Sequence, residues 1–281
     1  MRGADRRIAL GLYRAGPTRP VLERALEVGV TAVDTAYNYG WYQGHRALVK
    51  AAGDLLDRIE VSTKVGYFPG GYDLTPARLR AAVVEAGEVL GRAPDTVFVH
   101  NPEHDPDGLP AACEALATCQ ADGLCRAWGI ATWNPLPLLR VAASVAVRPD
   151  VLMVRAGLAV LGPVLDAGEH LRSRMAAGEV WGMAPFAGNP SDPVWSGLDT
   201  GVFLEPGQEP VSSAQARLAV AFAVPAVSRI AVGTNRPDHL TELAAATSVD
   251  VSTDTVHAYR QLLREQAGGR GKETAHAVHD G

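Results

Sequence analysis

The chain has 281 residues, of which 47% are hydrophobic and 20% are charged, and its formal net charge is −5. This length buries a sizeable core and suits either a single α/β barrel or two smaller domains. A negative charge balance without a basic cluster argues against a nucleic-acid partner, whose binding depends on clustered lysine and arginine. No apolar stretch reaches the length of a membrane-spanning helix, so no membrane contact is expected.

The N-terminal segment and the cysteines indicate a compartment. The first 14 residues are basic but lack the apolar core of a secretory signal. Cys113, Cys119 and Cys125 are odd in number and spaced by six residues, which fits neither a disulfide framework nor a metal-binding motif. We therefore expect inert buried thiols, no metal and a cytoplasmic protein.

Short apolar runs alternate with alanine-rich amphipathic stretches along the chain. Eight runs are predicted to be strands, at residues 8–13, 31–36, 59–64, 96–100, 126–131, 151–156, 180–185 and 229–233. Between them lie helical patterns such as 75–91, where apolar residues recur near the 3.6-residue period. Eight such units predict a closed (β/α)8 barrel of parallel strands. An open doubly wound sheet is the competitor, but no G-x-G-x-x-G follows the first strand.

The barrel is predicted to occupy residues 1–264 as a single domain, with a disordered tail over 265–281. Only seven residues precede the first predicted strand, so no N-terminal hairpin is expected. Residues 186–212 are rich in glycine and proline and are expected to form one long loop.

Ionisable residues close three consecutive predicted strands, which end in Asp34, Lys64 and His100, and Tyr39 follows Asp34 by five residues. In a barrel of this kind the chemistry lies at the C-terminal strand ends. A buried lysine needs an anion, which Asp34 can supply. Lys64 is expected to lower the pKa of Tyr39, which then donates a proton to a carbonyl oxygen while a neutral His100 orients the carbonyl. Taken singly, each residue also fits a structural role, as an ion-pair partner or a satisfied core histidine.

The segments DTAYNYG, STKV and FVHNP resemble, in order and spacing, those of the aldo-keto reductase superfamily, and the resemblance runs from about residue 8 to 264. It implies a (β/α)8 barrel that binds NADPH in extended form. It also implies a catalytic tetrad of Asp34, Tyr39, Lys64 and His100, with Tyr39 rather than Tyr37 at the acid position.

The resemblance further implies a set of cofactor contacts, several of which depart from the family pattern. They are Asp34, Thr132, Asn134, Met153, Pro185, Phe186, Gly188, Gly233, Thr234, Asn235, Arg236 and His239. Ala131 and Thr132 stand where the family has Ser-Asn, and Met153 and Ala156 stand where a glutamine and a stacking tyrosine are usual. Arg236, at a predicted helix start, favours NADPH over NADH.

Aromatic residues are expected to form the rim of the site and to bind substrate. The assigned residues are Tyr13, Trp41, Tyr42, Tyr67 and Trp133, with Tyr37, Phe68, Tyr72 and Trp195 as further lining. Such a rim suits a small or mid-sized cyclic substrate, as in specialised metabolism, and it occurs in apolar and sugar sites alike. Nothing in the sequence specifies an oligomeric state.

The leading hypothesis is NADPH-dependent reduction of an aldehyde or ketone, or the reverse reaction. One alternative is a non-catalytic regulator that binds NADP(H), motivated by the altered nicotinamide contacts. The other is a Schiff-base lyase that uses the buried Lys64.

Overall fold

Eight parallel strands close into a barrel in the computed structural model, which describes residues 6–188 and 193–277. The barrel strands are β1 (Arg7–Gly11), β2 (Ala32–Asp34), β3 (Glu60–Val65), β6 (Thr96–His100), β7 (Ala127–Ala131), β8 (Val151–Arg155), β9 (Glu179–Met183) and β10 (Arg229–Val232). Their order around the barrel is β1, β10, β9, β8, β7, β6, β3, β2. A small antiparallel hairpin of β4 (Tyr67–Phe68) and β5 (Gly71–Tyr72) follows β3. The predicted (β/α)8 barrel is confirmed.

Helices cover the outside of the barrel and connect its strands. They are α1 (Arg19–Glu27), α2 (Tyr39–Tyr42, a single distorted turn), α3 (Gly44–Ala52), α4 (Pro76–Leu90), α5 (Leu109–Ala121), α6 (Gly162–Met175), α7 (Ser213–Ala221), α8 (Pro237–Ala245) and α9 (Thr253–Ala277). Proline in the first turn starts α4, and Gly91 in the left-handed conformation ends it, which is the usual pairing of start and stop residues. Cys113, Cys119 and Cys125 are free and buried, as expected.

Two connections differ from the sequence expectations. No α-helix forms in residues 132–150, all of which the structure describes, and two 3-10 turns (Leu136–Arg140 and Ala142–Ser144) take its place. The predicted long loop contains 3-10 turns at Pro193–Gly197 and Thr200–Phe203, while its residues 189–192 lie outside the described residues.

The two ends of the chain were also subjects of prediction. Helix α9 continues to Ala277, so the segment expected to be a disordered tail begins inside a helix, and only residues 278–281 lie outside the described part. The lack of an N-terminal hairpin stays a prediction, because residues 1–5 also lie outside the described part of the chain.

Strand alternation decides which side chains enter the barrel. In β8, Val151 and Met153 pack in the interior cluster, whereas Leu152 and Val154 pack against the helices in the outer cluster. Because side chains alternate between the faces of a strand, Arg155 continues the interior row and lies at the C-terminal mouth. The interior below the mouth is filled by packed apolar side chains, chiefly Phe98, Val151, Met153, Trp181 and Ala231. The barrel is therefore solid, and chemistry is confined to its mouth.

Candidate active site

Lys64 is the centre of a buried polar cluster at the mouth of the barrel. Its Nζ atom donates to Asp34 Oδ2 at 2.5 Å, to the Thr35 carbonyl oxygen at 3.0 Å and to Tyr39 Oη at 3.5 Å. A lysine ammonium carries three donors, and each of them has an acceptor here. The side chain of Lys64 is only 2% exposed, and Ser62 Oγ lies 3.0 Å from the other Asp34 carboxylate oxygen. The three elements β2, β3 and α2 thus meet at one ammonium group.

Burial and charge set the ionisation of this cluster. Burial acts to lower the pKa of Lys64, but the charge of Asp34 and the hydrogen bonds outweigh it, so the pKa is raised and the ammonium stays charged. Burial raises the pKa of Tyr39 and outweighs the opposing effect of Lys64. The expectation that Lys64 lowers the tyrosine pKa is therefore wrong in its net direction. Tyr39 is a protonated phenol at neutral pH.

His100 ends β6 and faces the same cluster. Its ring lies edge-on to that of Tyr39, with the centroids 6.2 Å apart. Burial, and then the charges of Lys64 and His104, lower the pKa of His100 to about 3. The imidazole is therefore neutral near pH 7, as the sequence analysis expects. Its Nδ1 atom is buried without a hydrogen-bond partner.

An unusual backbone turn holds Tyr39 in place. The next three residues, Gly40, Trp41 and Tyr42, have φ angles of 57°, 56° and 66°. Left-handed conformations of bulky residues are sparsely populated and persist only where the surroundings enforce them. Part of that enforcement comes from Gly44, because a Cβ atom there would lie 3.1 Å from the Tyr39 carbonyl oxygen and 3.2 Å from its Cβ. The sequence analysis missed this turn.

A second buried layer supports the cluster from behind. His45 Nε2 lies 2.7 Å from Thr63 Oγ1, and burial lowers the pKa of His45 to about 4. Tyr37 packs edge-on against Phe68 and donates its hydroxyl to Glu85 Oε2 at 2.6 Å. Tyr37 therefore belongs to this supporting layer rather than to the pocket lining that was expected.

The aromatic rim is present, with two corrections. Trp41 is 91% exposed, Tyr13 is 64% exposed with its ring centroid 5.1 Å from that of Tyr39, and Trp133 is 43% exposed. The other rim residues are Tyr42, which contacts Tyr37 edge-on, and Tyr67, which packs on Tyr72, itself stacked on His104. Phe68 and Trp195 do not join the rim, since both are buried in hydrophobic clusters where they exclude water.

Glu103 organises the loop after β7. Its Oε1 atom accepts from the backbone N–H groups of Trp133 (2.7 Å) and Asn134 (2.9 Å), and its Oε2 accepts from the Thr132 hydroxyl (2.8 Å). Thr132 is fully buried and its hydroxyl is bonded to Glu103. This hydroxyl is therefore not offered to a cofactor, in contrast to the sequence-based expectation. Asn134 Oδ1 accepts from the Leu136 N–H at 3.2 Å. No sequence pattern predicted this role of Glu103, which lies three residues after the end of β6 and bonds to the loop after the next strand.

The end of β8 differs from the expected nicotinamide site. Met153 is buried in the barrel interior, in one register row with His100 and Ala131. Ala156 packs against Gly182, because a Cβ atom added at Gly182 would lie only 2.8 Å from the Cβ of Ala156. The Ala156 side chain therefore takes no part in the mouth. Arg155 and Met183, which pair in register across β8 and β9, occupy the mouth instead. Strand alternation counted from Met153 would have identified Arg155.

The loop after β9 is tied to the loop after β1. Arg14 Nη1 donates to the Gly188 carbonyl oxygen at 2.7 Å, and Gly188 has a φ of 79°. Pro185 is buried, and Phe186 packs partly buried against the outer core. The carbonyl of Gly188 is thus already occupied by Arg14, a contact that the sequence analysis did not foresee.

The segment expected to bind the adenosine phosphate starts α8. A Cβ at Gly233 would lie 2.9 Å from the Gly11 carbonyl oxygen, so this position requires glycine. Thr234 Oγ1 accepts from the Arg236 N–H at 3.1 Å and lies 3.5 Å from His239 Nδ1, while Asn235 is exposed. The exposed guanidinium of Arg236 pairs with Asp238 at 2.5 Å. A phosphate would therefore compete with Asp238 for Arg236.

Two further observations concern metals and membranes. Within residues 6–188 and 193–277, no three His, Cys, Asp or Glu side chains that the structure describes are grouped to hold a metal ion. Across the same part of the chain, every helix is too short or too polar to cross a bilayer.

The fold and the cluster together define a parallel barrel with a lysine, carboxylate and phenol at its mouth, and comparison with known proteins identifies the family. A family model described as the aldo/keto reductase family matches residues 13–156. The chain therefore belongs to the aldo/keto reductase family.

Individual relatives are distant. The chain is 30% identical over 153 residues to a 6-dehydroglucose reductase of Agrobacterium fabrum, and the match covers 46% of this chain and 50% of that protein. It thus spans about half the length of that curated relative. Among solved structures, an aldo-keto reductase from Bacillus halodurans (holo form) matches with a TM-score of 0.72 at 19% identity over 91% of each chain. An aldo-keto reductase from Klebsiella pneumoniae in complex with NADPH matches with a TM-score of 0.67 at 19% identity, over 91% of this chain and 90% of the other. These two likenesses show the fold.

Proposed function

We propose that the protein is an NADPH-dependent oxidoreductase that reduces an aldehyde or ketone to an alcohol, or runs the reverse reaction. The observation that carries the proposal is the buried Lys64–Asp34 pair at 2.5 Å, with the Tyr39 hydroxyl 3.5 Å from the same Nζ atom. Membership of the aldo/keto reductase family supports it. The name of the Agrobacterium relative, a reductase, and the NADPH in the Klebsiella structure point the same way.

Each member of the cluster has a defined task in this proposal. Tyr39 is protonated because burial raises its pKa, so it donates the proton that the carbonyl oxygen needs. Lys64 then stabilises the phenolate left behind, since its fixed ammonium is already in contact with the hydroxyl oxygen. Asp34 keeps that ammonium charged and oriented. Neutral His100, next to Tyr39, orients the carbonyl without adding a second charge.

NADPH, when bound, supplies the hydride from C4 of its nicotinamide. The residues proposed to hold its phosphates are Gly188, Thr234, Asn235 and Arg236, with His239 beside them. Thr234 and Arg236 fit such a role because they stand at the N-terminus of α8, where backbone N–H groups favour anions. Asp34 and Asn134 are proposed near the nicotinamide, and Met153 supplies an apolar floor rather than a hydrogen bond.

Turnover of a carbonyl compound by purified protein tests the proposal. The rate of NADPH oxidation is measured with 4-nitrobenzaldehyde or simple sugars as substrates. In the wild type this rate should saturate with substrate concentration, and in Tyr39→Phe it should be at least ~100-fold lower. Tyr259→Phe is the matched control and should retain activity, because its hydroxyl bonds to the Leu158 carbonyl oxygen and its ring packs on Phe203 in a separate hydrophobic cluster. Equal rates for wild type and Tyr39→Phe would refute the role of Tyr39.

The regulatory alternative also has a specific observation behind it. Ala131 and Met153 carry no polar side-chain group and the Thr132 hydroxyl is bonded to Glu103, so these three positions would offer the nicotinamide few hydrogen bonds. Saturable NADPH binding by fluorescence, with no turnover across a broad set of aldehydes and ketones, would favour this alternative.

A Schiff-base lyase is disfavoured by the geometry. Such an enzyme needs a neutral amine, whereas Asp34 keeps Lys64 charged. Borohydride trapping of an aldehyde on Lys64 would reverse this conclusion.

Two finer points complete the proposal. The free, buried cysteines suit a reducing cytoplasm. The exposed aromatic rim suits a small or mid-sized cyclic carbonyl compound, the kind of substrate met in specialised metabolism.

A further inference from the structure

Among the residues that the structure describes, no acidic side chain pairs with Arg155, which stands at the mouth of the barrel. It ends β8 and continues the interior row of Val151 and Met153. Its guanidinium carbon lies 4.9 Å from the centroid of the Trp133 ring. The Nε atom is buried and has no hydrogen-bond partner.

The surroundings of Arg155 leave its charge uncompensated. Burial lowers the pKa of Arg155 from its ordinary value, and no acidic side chain opposes that effect. Glu103, the carboxylate that holds the Trp133 loop, already accepts from two backbone N–H groups and the Thr132 hydroxyl. Burying a charge without a partner is costly, so a half-buried guanidinium with free donors favours an anion at this place.

Arg155 lies within reach of the proposed site of chemistry. His100, Ala131 and Met153 share one register row across three adjacent strands, and Arg155 is two residues further along β8. With strands about 4.8 Å apart and a rise of about 3.3 Å per residue, the Cα atoms of His100 and Arg155 are on the order of 12 Å apart. An extended arginine side chain and a small organic acid together span that gap.

The chemistry of the guanidinium narrows the class of ligand. Its central carbon lies 4.9 Å from the centroid of the Trp133 ring, and within the described residues none of its N–H groups has a hydrogen-bond partner in the protein. A guanidinium matches the two oxygens of a carboxylate in bidentate geometry. The neighbouring Trp133 ring suits a cyclic compound or a sugar.

We propose that Arg155 binds an anionic group of the substrate, and that the protein therefore acts on a carbonyl compound that also carries a carboxylate, such as a uronic or aromatic oxo acid. This inference rests on the proposed carbonyl reduction, and it adds the substrate class.

Substrate pairs that differ in charge but are nearly equal in shape test the inference. The pairs are D-glucuronate with D-glucuronamide, and 4-formylbenzoate with 4-formylbenzamide. The wild type should have a kcat/KM about 10- to 100-fold higher for each acid, as expected for one charge-assisted contact. Arg155→Met should abolish this preference, because it should lower kcat/KM far more for each acid than for its neutral partner. Arg155→Lys should restore part of it, and Arg80→Met, which removes a surface ion pair with Asp122, should leave it intact.

A second comparison distinguishes a carboxylate from a phosphate as the anionic group of the substrate. Glyceraldehyde 3-phosphate and glyceraldehyde form a pair in which the charge is a phosphate. A larger preference there than in the carboxylate pairs would identify a phosphorylated substrate and overturn the carboxylate assignment.

A binding measurement makes the test independent of turnover. Benzoate should bind to the wild type in a calorimetric titration. Its affinity should fall at least about 10-fold in Arg155→Met, and by a smaller factor in Arg155→Lys. If no carbonyl compound is turned over but benzoate still depends on Arg155, the proposed activity fails and the anion site stands. If neutral and anionic substrates are reduced equally well, this inference alone is overturned. It is also overturned if Arg155→Met weakens NADPH binding instead, because Arg155 is then a cofactor contact.

Discussion

The ammonium of Lys64 and the phenol of Tyr39 are 3.5 Å apart, a long contact compared with the 2.5 Å between the same ammonium and Asp34. The lysine is therefore held mainly by the carboxylate, while the phenol is a weaker third acceptor. A phenol that gives up its proton becomes a far better acceptor for that ammonium, so the contact strengthens as proton transfer proceeds.

Removal of Lys64 should destabilise the protein as well as inactivate it. Lys64→Met leaves Asp34 buried and uncompensated, and we expect the free energy of unfolding to fall by about 3–5 kcal/mol in urea denaturation. Lys50→Met is the matched control, because Lys50 is exposed on α3, and it should change stability by less than about 0.5 kcal/mol. The double variant Asp34→Asn/Lys64→Met should recover part of the loss. Lys64→Arg should keep the fold and lose most of the rate, since the compact ammonium has no guanidinium equivalent. Full activity of Lys64→Arg would contradict the proposed site.

The pH profile of carbonyl reduction should be flat through neutrality. The proton donor must be protonated, and burial raises the pKa of Tyr39 above the ordinary phenol value of 10.0, so kcat/KM should decline only above that pH. His100, with a pKa of about 3, is neutral throughout this range and adds no break near pH 6.5. Steady-state rates from pH 5.5 to 10.5 would measure the profile. A break between pH 6 and 9 would assign the proton to another group.

Acid should destabilise the protein through its buried neutral histidines. The pKa of His45 is lowered from 6.5 to about 4, and that of His100 from 6.5 to about 3. Below pH 6.5 these histidines therefore bind protons in the unfolded chain but not in the native protein. Stability is lost as the pH falls from 6.5 toward 4. Each histidine adds up to about 1.4 kcal/mol per pH unit to the slope.

Variants separate this effect from general acid unfolding. His45→Gln keeps a hydrogen-bonding group beside Thr63 and should flatten the slope between pH 6.5 and 4.5 in urea unfolding. His257→Gln, at an exposed position on α9, should leave the slope unchanged. An identical slope in both variants would mean that His45 is charged in the native protein.

Cofactor preference should depend on the pair formed by Arg236 and Asp238. If Arg236 binds the 2′-phosphate, Arg236→Ala should raise the Kd for NADPH about 10-fold with little effect on NADH. Asp238→Asn should tighten NADPH binding, because it releases Arg236 from a competing carboxylate at 2.5 Å. Fluorescence titration of both nucleotides gives the two constants, with Arg80→Ala as a surface control. Parallel changes for NADPH and NADH would assign the pair to helix stability alone.

The sequence predicted the barrel and the identity of the cluster well, for a physical reason. Strand ends such as Asp34, Lys64 and His100 are ionisable residues in apolar runs, and parallel strands bring their C-terminal ends together. Contacts between loops were not predictable in this way. Glu103 bonds to residues about 30 positions away, and nothing in its local sequence indicates that partner.

The burial of individual side chains was also not predictable from the sequence. The net effect on Tyr39 depends on how burial compares with the charge of Lys64, and only the structure gives the burial. Likewise Thr132 and Phe68 were assigned to the site by position, whereas packing directs both into buried surroundings. Arg155 was within reach of sequence reasoning, since it lies two residues past Met153 on the same strand face.

The three hydrogen bonds of Glu103 have a consequence for substrate choice. They fix the loop that carries Trp133, whose ring contacts Arg155, to the segment that follows His100, so this side of the mouth is held as one unit. A fixed spacing between the anion-binding group and the site of proton transfer discriminates by chain length. Among unbranched ω-oxo acids, reduction should therefore peak at one chain length and fall on both sides of it, and Glu103→Gln should broaden that peak.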